Sequence, residues 1–386
     1  MMRITQLETY FLTCPLPQPV YTSTNAIRQV SEVIVKLSTD AGLVGIGEAH
    51  GPFLFQQGPE GLQAVSHILQ QLTPLVLGED PFNIERIWQD VFALTYKSVR
   101  GVAPLARQHR QLITALSAID IALWDLMGKA TERPVYALLG GALRQRLPAY
   151  VTGFYYKDNE TLDDLRREAD FYLEQGYRTL KVKVGRMSPE ADAERVRVIR
   201  ETAGPDVDLM IDANQGWDLP TAVHAARLLE PHGIFWLEDP MPWYDERYTL
   251  QRLKAATSIP IAAGETEYTP FGLRHMMSEG LVDYLIIDST WAGGLTTWRK
   301  AAVMAEMYQI PLAAHHDPQI HVHAQAASPT GFILESFADP ARDPLWFDLF
   351  SERPAIVDGY MSLPDAPGLG LELRADTLEK YGVKLT

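Results

Sequence analysis

Polar residues end a series of apolar segments between residues 147 and 337, and their types could support acid–base and metal chemistry. Each follows a run of apolar residues that is typical of a buried strand. Because the carboxyl ends of the parallel strands of a barrel meet at one face, we expect these side chains to surround one site. The residues are Lys181, Lys183, Asp212, Asn214, Glu238, Glu265, Asp288, His315 and Glu335.

Three successive segments end in the carboxylates Asp212, Glu238 and Glu265. Converging carboxylates repel one another unless a cation lies among them. Three oxygen ligands on rigid strands, with positions left open for substrate and water, suit Mg2+ better than Zn2+, and Mn2+ is the expected substitute. We therefore predict one Mg2+ per site. The structural alternative is a set of three salt bridges at the ends of strands.

Two lysines share one face of the predicted strand "TLKVKVG" (179–185). On an isolated strand they would indicate a solvated surface. At the mouth of a barrel the same pair has a chemical use, because a buried lysine beside another cation is shifted toward its neutral form. We therefore expect Lys181 to lower the pKa of Lys183, so that Lys183 acts as a base.

Asp288, His315 and Glu335 end the sixth, seventh and eighth segments. A carboxylate on a neighbouring strand can hold an imidazole in one tautomer and raise its pKa. We therefore expect Asp288 to orient His315. If protonated, a state that burial would favour, Glu335 could donate a hydrogen bond to a substrate oxygen.

Eight such apolar segments alternate with amphipathic stretches long enough for crossover helices. This alternation predicts an α/β fold with a (β/α)8 barrel of the TIM type, with catalytic residues at the carboxyl ends of the strands. The segments are 147–153, 179–185, 207–214, 234–240, 259–266, 282–290, 310–316 and 332–337.

The first part of the chain has a different pattern, with two strand-like stretches, a hairpin signal near Asp40, and then long helical patterns. We therefore predict an N-terminal α+β capping domain over 1–130 and a barrel over 145–350. A C-terminal segment over 351–386 is predicted to return to the cap and complete it. The chain has no low-complexity linker, so these parts should pack as one body.

Composition excludes several classes of function. The chain has 386 residues, 46% hydrophobic and 22% charged, with a formal net charge of -15. Such acidity argues against nucleic acid and anionic membranes as partners. The single cysteine, Cys14, allows neither an intrachain disulfide nor a thiolate metal site. With neither a signal peptide nor an apolar run of membrane-spanning length in evidence, we expect a cytoplasmic protein.

Taken together, these motifs resemble the enolase superfamily, in particular its mandelate racemase-like subgroup. The resemblance covers nearly the whole chain. The segment "ALSAIDIALWDLMGKATERPVYALLGG" (115–141) is similar to the stretch that precedes the barrel in that family. The motifs that follow in the family's order are "KVKVG", "DANQGW", "LEDP", "GET", "IIDSTWAGGLT", "AAHH" and "ILES".

The resemblance implies a role for each of these positions. Asp212, Glu238 and Glu265 would bind the Mg2+ that holds a substrate carboxylate. Lys183 and the His315–Asp288 pair would be the two acid/base groups, on opposite faces of the substrate's α-carbon. The remaining matches are Lys181 beside the substrate carboxylate, Asn214 near metal and substrate, and Glu335 hydrogen-bonded to the enolate.

The implied reaction is abstraction of a proton α to a carboxylate of a small molecule. Muconate-cycloisomerase-like relatives carry a lysine where this chain has Asp288, so we set them aside. We predict dehydration of an acid sugar, an aldonate or aldarate, to a 2-keto-3-deoxy acid. The alternatives are a racemase or epimerase of a 2-hydroxy acid, a cycloisomerase of a sugar-acid lactone, and a barrel kept only for binding. By analogy with such caps, a homo-oligomer from dimer to octamer is expected.

Substrate specificity is expected in the cap loops and after the first barrel strand. The candidates are Thr24 in the polar stretch 21–25, His50 in the stretch 50–53, and Tyr155. Ordinary solvated loops are the alternative. His315 is followed closely by His316, His321 and His323, which raises a second metal site as an alternative. We expect instead that His316 points away from the mouth and that the other two lie on the following loop or helix.

Overall fold

The computed structural model describes residues 2–50 and 59–385. Its N-terminal part is an antiparallel sheet of β1 (Ile4–Tyr21), β2 (Ala26–Thr39) and β3 (Val44–His50). The β2–β3 hairpin turns at Gly42, whose φ of +77° is a conformation that glycine adopts without strain. The hairpin signal in the sequence therefore predicted this turn correctly.

Three helices pack with this sheet to form the cap: α1 (Pro59–Val76), α2 (Ile84–Ala93) and α3 (His109–Ala130). The prediction that no apolar segment is long enough to span a membrane is wrong for α3. This helix has 22 residues and a mean hydropathy of 1.3, so it is long and apolar enough to do so. However, 94% of its apolar window is buried inside the fold. Its apolarity follows from packing on β3, where Gly45 and Gly47 let the helix backbone approach closely.

The second part is the predicted barrel. Eight parallel strands pair in chain order, and the last pairs with the first, which closes the barrel. The fold prediction is therefore confirmed. The strands are β4 (Arg146–Gly153), β5 (Thr179–Lys183), β6 (Asp208–Asp212), β7 (Ile234–Glu238), β8 (Ile261–Ala263), β9 (Tyr284–Ile287), β10 (Leu312–Ala314) and β11 (Gly331–Ser336).

Helices connect these strands on the outside, as in a β/α barrel. Capping side chains fix several of their first turns. Thr161 and Asp164 form a capping box, and Ser188 caps the following helix. The helices, after a short α4 (Val135–Leu138), are α5 (Leu162–Glu174), α6 (Pro189–Ala203), α7 (Leu219–Leu229), α8 (Glu246–Lys254), α9 (Pro270–Ser278), α10 (Gly294–Tyr308) and α11 (Pro318–Ala327).

The barrel interior is a separate apolar core that sets the position of the polar residues above it. It contains Tyr150, Met210, Trp236, Ala262, Ile286, Ala313 and Ile333. Successive side chains of a strand alternate between its two faces. Residues two positions further along therefore also face the barrel axis, one layer closer to the mouth. Five of the predicted site residues stand in that relation to the core: Asp212, Glu238, Asp288, His315 and Glu335.

The C-terminal segment contacts both parts. After α12 (Pro344–Asp348), it contains β12 (Phe350–Glu352), β13 (Ile356–Val357), β14 (Tyr360–Ser362), β15 (Glu372–Leu373), α13 (Ala375–Tyr381) and β16 (Gly382–Lys384). Strand β14 pairs with β4 of the barrel, whereas β16 pairs with β1 of the cap. The segment thus does return to the cap sheet, but it first adds a hairpin to the barrel.

Candidate active site

Three carboxylates form the centre of the barrel mouth. Asp212 and Glu238 end β6 and β7, and Glu265 lies just beyond β8, so all three come from neighbouring strands. They are buried, and one oxygen from each lies within 4.8 Å of one from each of the others. We refer to Asp212, Glu238 and Glu265 as the carboxylate row.

The row fits a divalent cation. Burial, Asp212 and Glu265 raise the pKa of Glu238 well above its usual range, although Lys181 opposes this shift. Among the described residues, Oε2 of Glu265 has no hydrogen-bond partner although it is buried. Negative charge that is expensive to bury, together with an unused oxygen, marks a place for a cation. Donors that are all oxygen suit Mg2+.

The two lysines of β5 lie at the Asp212 end of this row. Lys181 Nζ is 2.5 Å from Glu238 Oε1, 3.0 Å from Glu335 Oε1 and 3.6 Å from Asp212 Oδ2. Lys183 Nζ is 2.5 Å from Asp212 Oδ2. Both lysines are buried, so the solvated surface strand that an isolated pair would indicate is excluded.

The expected low pKa of Lys183 is wrong for this arrangement. Burial does favour the neutral amine, but the adjacent Asp212 carboxylate outweighs burial, and the pKa of Lys183 is raised. Repulsion from Lys181 acts in the predicted direction and is weaker than the attraction of Asp212. The sequence showed the neighbouring cation but not the direct ion pair, because that pair joins two different strands.

His315 and Asp288 lie at the other end of the row. His315 Nδ1 is 2.7 Å from Asp288 Oδ2, while Nε2 is 3.4 Å from Glu265 Oε2. Asp288 is itself fixed, since its Oδ1 accepts hydrogen bonds from the backbone and hydroxyl of Thr290. Burial would lower the pKa of His315, but Glu265 and Asp288 outweigh it and raise the pKa to about 10.

Glu335 is held between charged and polar groups. Its oxygens accept hydrogen bonds from the hydroxyl of Thr152 and the backbone N–H of His316. Burial alone would raise its pKa, as expected, but Lys181 and His315 outweigh burial and hold the pKa of Glu335 well below its usual range. The prediction of a protonated Glu335 is therefore wrong for this arrangement, where Glu335 is a carboxylate between two cations.

Asn214 and a cap loop meet beside Asp212. The backbone N–H of Asn214 donates to Asp212 Oδ1 at 2.8 Å, and its Nδ2 donates to Asp212 Oδ2 at 3.2 Å. Its Oδ1 is buried and accepts no hydrogen bond within the described part of the chain. Ser23 donates to the carbonyl of Ala213, and the exposed Thr24 donates to that of Asn214 at 3.4 Å.

Two other predicted binding residues have different surroundings. The Tyr155 ring lies 5.2 Å from Lys183 Nζ, and its hydroxyl accepts a hydrogen bond from Arg342 at 2.8 Å. His50 lies on the cap side of His315, where its ring stacks on His316 at 4.1 Å between centroids. The rest of the predicted stretch, 51–53, lies outside the described residues.

The histidines after His315 do not gather around one ion. His321 Nε2 accepts from the backbone of Ser289, and its Nδ1 faces the carbonyls of His316 and Asp317. His323 Nδ1 accepts from the backbone of Tyr136, and its Nε2 faces the carbonyl of Leu369. Both residues lie on α11, as expected, and both fasten it to neighbouring segments.

Sequence reasoning missed two residues of the mouth. Trp291 stacks on His315 with centroids 5.1 Å apart, and its buried Nε1 has no hydrogen-bond partner among the described residues. Its place three residues after Asp288 was the available signal. Arg342 lies over the rings of Tyr155 and Phe337. It comes from a loop after β11, where the sequence has no pattern that predicts its position.

Comparison with known proteins agrees with this fold. Residues 7–140 match the family described as mandelate racemase / muconate lactonizing enzyme, N-terminal domain. Residues 164–377 match the family described as enolase C-terminal domain-like. The chain therefore belongs to the enolase superfamily, within its mandelate racemase-like subgroup, and it is an enzyme.

Relatives within this superfamily catalyse different reactions. The chain is 34% identical to an arabinonate dehydratase of Saccharolobus solfataricus, over 91% of each chain. It is 31% identical to a D-galactarolactone cycloisomerase of Agrobacterium fabrum, over 98% of this chain and 99% of the relative. A crystal structure of a racemase from Streptomyces coelicolor with bound magnesium superimposes with a TM-score of 0.86, 30% identity and coverage of 98% and 100%. These relatives show that the reaction of this chain belongs to the class that the enolase superfamily catalyses.

Proposed function

We propose that this enzyme removes the proton α to the carboxylate of an acid sugar and dehydrates it to a 2-keto-3-deoxy acid. The observation that carries the proposal is the position of two proton-transfer groups at opposite ends of one carboxylate row. Lys183 contacts Asp212 at one end, and His315 approaches Glu265 at the other. A substrate held over the row would meet one group on each side.

Asp212, Glu238 and Glu265 would hold Mg2+, which would bind the substrate's carboxylate and offset the negative charge that develops when the α-proton leaves. Magnesium in the related racemase structure supports this assignment. The chain's own cations add to the effect, because the Lys181 ammonium lies beside the same row.

Lys183 would take the α-proton. His315, whose Nδ1 faces Asp288, would present a proton on Nε2 to the departing β-hydroxyl. The raised pKa of His315 favours the protonated imidazolium that this step needs at neutral pH. Around these groups, Oδ1 of Asn214 and Nε1 of Trp291 have hydrogen-bonding capacity that no described residue uses. Such groups suit the hydroxyls of a sugar acid better than an apolar ring.

Proton NMR in D2O tests the proposal. The wild-type enzyme with Mg2+ would be incubated with a panel of aldonic and aldaric acids and their lactones. Dehydration predicts loss of substrate signals and a deuterated 2-keto-3-deoxy product. Lys183→Ala should abolish both α-proton exchange and elimination. His315→Asn should retain exchange while losing elimination. Lys254→Ala, which removes an ion pair with Asp283 on the outer surface, serves as the matched control.

Lactone opening or epimerisation is the second candidate, favoured by the cycloisomerase relative. The same panel separates the two, since isomerisation exchanges the α-proton without forming a keto acid. An active His315→Asn variant that still eliminates water would contradict the assigned role of His315. The homo-oligomer and the cytoplasmic location stay predictions, to be checked by light scattering and by fractionation.

A further inference from the structure

A second group of buried, ionisable side chains lies between the cap and the barrel, apart from the carboxylate row. The cap contributes Glu32 from β2 and Glu48 and His50 from β3. The barrel contributes His316 and Asp317, which follow β10. All five are buried. We refer to these five residues as the boundary cluster.

The donor atoms of this cluster form two groups of three. Oxygens of Glu32, Glu48 and Asp317 lie within 4.8 Å of one another. Donors of His50, His316 and Asp317 form a second such group, so Asp317 is shared by both. The Nδ1 of His316 is 3.9 Å from Asp317 Oδ1. Two ligands on opposite sides of a metal ion lie about 4.2 Å apart when each bond is about 2.1 Å long. The distances between these donor atoms are of that order.

Within the described part of the chain, no permanently charged cation balances the three carboxyl groups of the cluster. Among the described residues, no lysine or arginine lies within ion-pair distance of its three carboxyl groups. Two histidines do, since His50 Nδ1 is 2.5 Å from Glu32 Oε1 and His316 Nδ1 is 3.9 Å from Asp317 Oδ1. Gln319 donates to Glu48 at 3.1 Å and to Asp317 at 3.4 Å. Oε2 of Glu32 and Oδ2 of Asp317 are buried and receive no hydrogen bond from any residue that the structure describes.

Buried carboxylates without a counter-charge are unfavourable, so the cluster must take up either protons or a cation. Burial and Asp317 raise the pKa values of both Glu32 and Glu48 well above the usual range. Burial and the neighbouring His50 lower the pKa of His316 well below its usual value. His316 is therefore a neutral imidazole, which is the form that binds metals.

We propose that the boundary cluster is a second cation site, which takes one divalent transition-metal ion such as Zn2+ or Mn2+. Oxygens of Glu32, Glu48 and Asp317, which form one of the two groups, are its ligands, and a ring nitrogen of His316 from the other group completes the set through Asp317, which both groups share. One imidazole is assigned rather than two because His50 and His316 are stacked, with an interplanar angle of 23°. In-plane lone pairs of stacked rings do not point at the same ion.

The donor set separates this site from the carboxylate row. No ligand is shared, and the row offers oxygen alone, which suits Mg2+. An imidazole nitrogen added to three oxygens favours a transition metal. Because its ligands come from β2, β3 and the segment after β10, an ion here would fasten the cap to the segment that carries His315. Binding should therefore raise the melting temperature of the whole chain.

Metal stoichiometry tests the site without reference to activity. The full chain would be stripped of metal with a chelator, equilibrated with excess Mg2+ and a small excess of Zn2+, and desalted. Inductively coupled plasma emission spectroscopy would then measure the Zn2+ bound per chain. We expect one Zn2+ per chain, retained by Asp212→Asn, in which the carboxylate row is damaged. Asp317→Asn and Glu48→Gln should weaken Zn2+ binding at least tenfold. Glu201→Gln, an exposed carboxyl on α6, should match the wild type.

Two results would overturn the proposal. One is that the Asp212→Asn variant loses all of the Zn2+ that the wild type retains, because the ion would then be bound at the carboxylate row. The other is a folded Asp317→Asn variant that keeps the full equivalent, since the ion would then lie elsewhere on the chain. If both cluster variants fail to fold, Mn2+ titration by electron paramagnetic resonance still decides. The wild type should bind two Mn2+ ions and Asp212→Asn should bind one. If the wild type binds one and Asp212→Asn binds none, the second site is excluded.

Discussion

At the scale of residues, the site is governed by two ion pairs that place opposite charge at each end of the carboxylate row. Lys183 is charged because Asp212 touches it, and His315 is charged because Glu265 and Asp288 face it. A base must be neutral before it can take a proton. Whatever neutralises Asp212 therefore also controls Lys183.

The first prediction concerns Lys183 and Mg2+. Adding Mg2+ should weaken the Lys183–Asp212 pair, so the pKa of Lys183 should fall by about one unit or more. Side-chain NMR of lysine-labelled protein would follow the Nζ resonance, assigned with Lys183→Arg. Lys254, on the outer surface, provides an internal control. If the pKa of Lys183 is unchanged on saturation with Mg2+, Asp212 does not couple Mg2+ binding to the protonation of Lys183.

The second prediction concerns Asp288. In Asp288→Asn the amide can still accept from Thr290, but its NH2 would face His315 Nδ1 and reverse the tautomer. The pKa of His315 should fall from about 10 toward its ordinary value of 6.5. Turnover should drop by roughly 100-fold or more, the usual contribution of general acid–base catalysis.

Nitrogen-detected NMR of the imidazole in metal-free protein measures this pKa directly. The sign is fixed by the structure, since loss of a carboxylate removes an interaction with the charged form. Thr290→Val is the companion variant, because it removes only the hydroxyl that holds Asp288. A pKa that stays near 10 in Asp288→Asn would assign the shift to Glu265 and Glu335.

At the scale of elements, alternation within each strand explains why the polar residues meet. The interior core residues of β6, β7, β9, β10 and β11 each precede a site residue by two positions. The same strand face therefore supplies core below and chemistry above. The cap helix α3 carries two buried aspartates instead, and one of them, Asp120, accepts the backbone N–H of Thr296 at the start of α10.

The third prediction concerns that contact. Burial raises the pKa of Asp120 from its ordinary value of 3.8 to about 7. The folded chain therefore binds a proton there that the unfolded chain releases, and this contribution to stability is lost as pH rises from about 4 through about 7. The free energy of unfolding of Asp120→Asn should therefore rise relative to that of the wild type by about 1.4 kcal/mol per pH unit across that range.

Urea unfolding of metal-free protein at several pH values measures the difference. Asparagine suits the position, because Oδ1 of Asp120 is buried without a partner among the described residues and can be replaced by an amide. Asp163→Asn, on the exposed face of α5, should follow the wild type. Parallel pH profiles for Asp120→Asn and wild type would contradict the raised pKa.

At the scale of the whole molecule, one carboxylate joins three distant parts of the chain. Asp125 on α3 accepts the backbone N–H of Ile46 in β3 and that of Leu369 in the C-terminal segment, both at 2.8 Å. Lys129 balances its charge at 2.6 Å. The cap sheet, the cap helix and the C-terminal segment are therefore connected through a single buried side chain.

The fourth prediction follows from this connection. Asp125→Asn replaces one acceptor by a donor that faces a backbone N–H, which should lower the unfolding free energy by about 1–3 kcal/mol. Amide hydrogen exchange should show Ile46 or Leu369 losing protection together with its neighbours. The exposed Asp376→Asn is the control. Unchanged exchange at both amides would show that Asp125 is dispensable for the connection.

The sequence by itself determined the barrel, the residues at its mouth and the family. Period-two alternation and regular spacing are local properties, so β6 and Asp212, or β10 and His315, could be predicted without a partner strand. Protonation states could not be predicted in this way. The charges on Lys183 and Glu335 depend on contacts between strands that are remote in the chain.

The tertiary structure also decided what the cap contributes. Only the folded chain shows that Glu32, Glu48 and His50 meet His316 and Asp317, because these groups are separated by more than half of the sequence. A sequence pattern records which residues share a strand face or a helix face. Which faces meet, and which charges they bring together, is settled by packing.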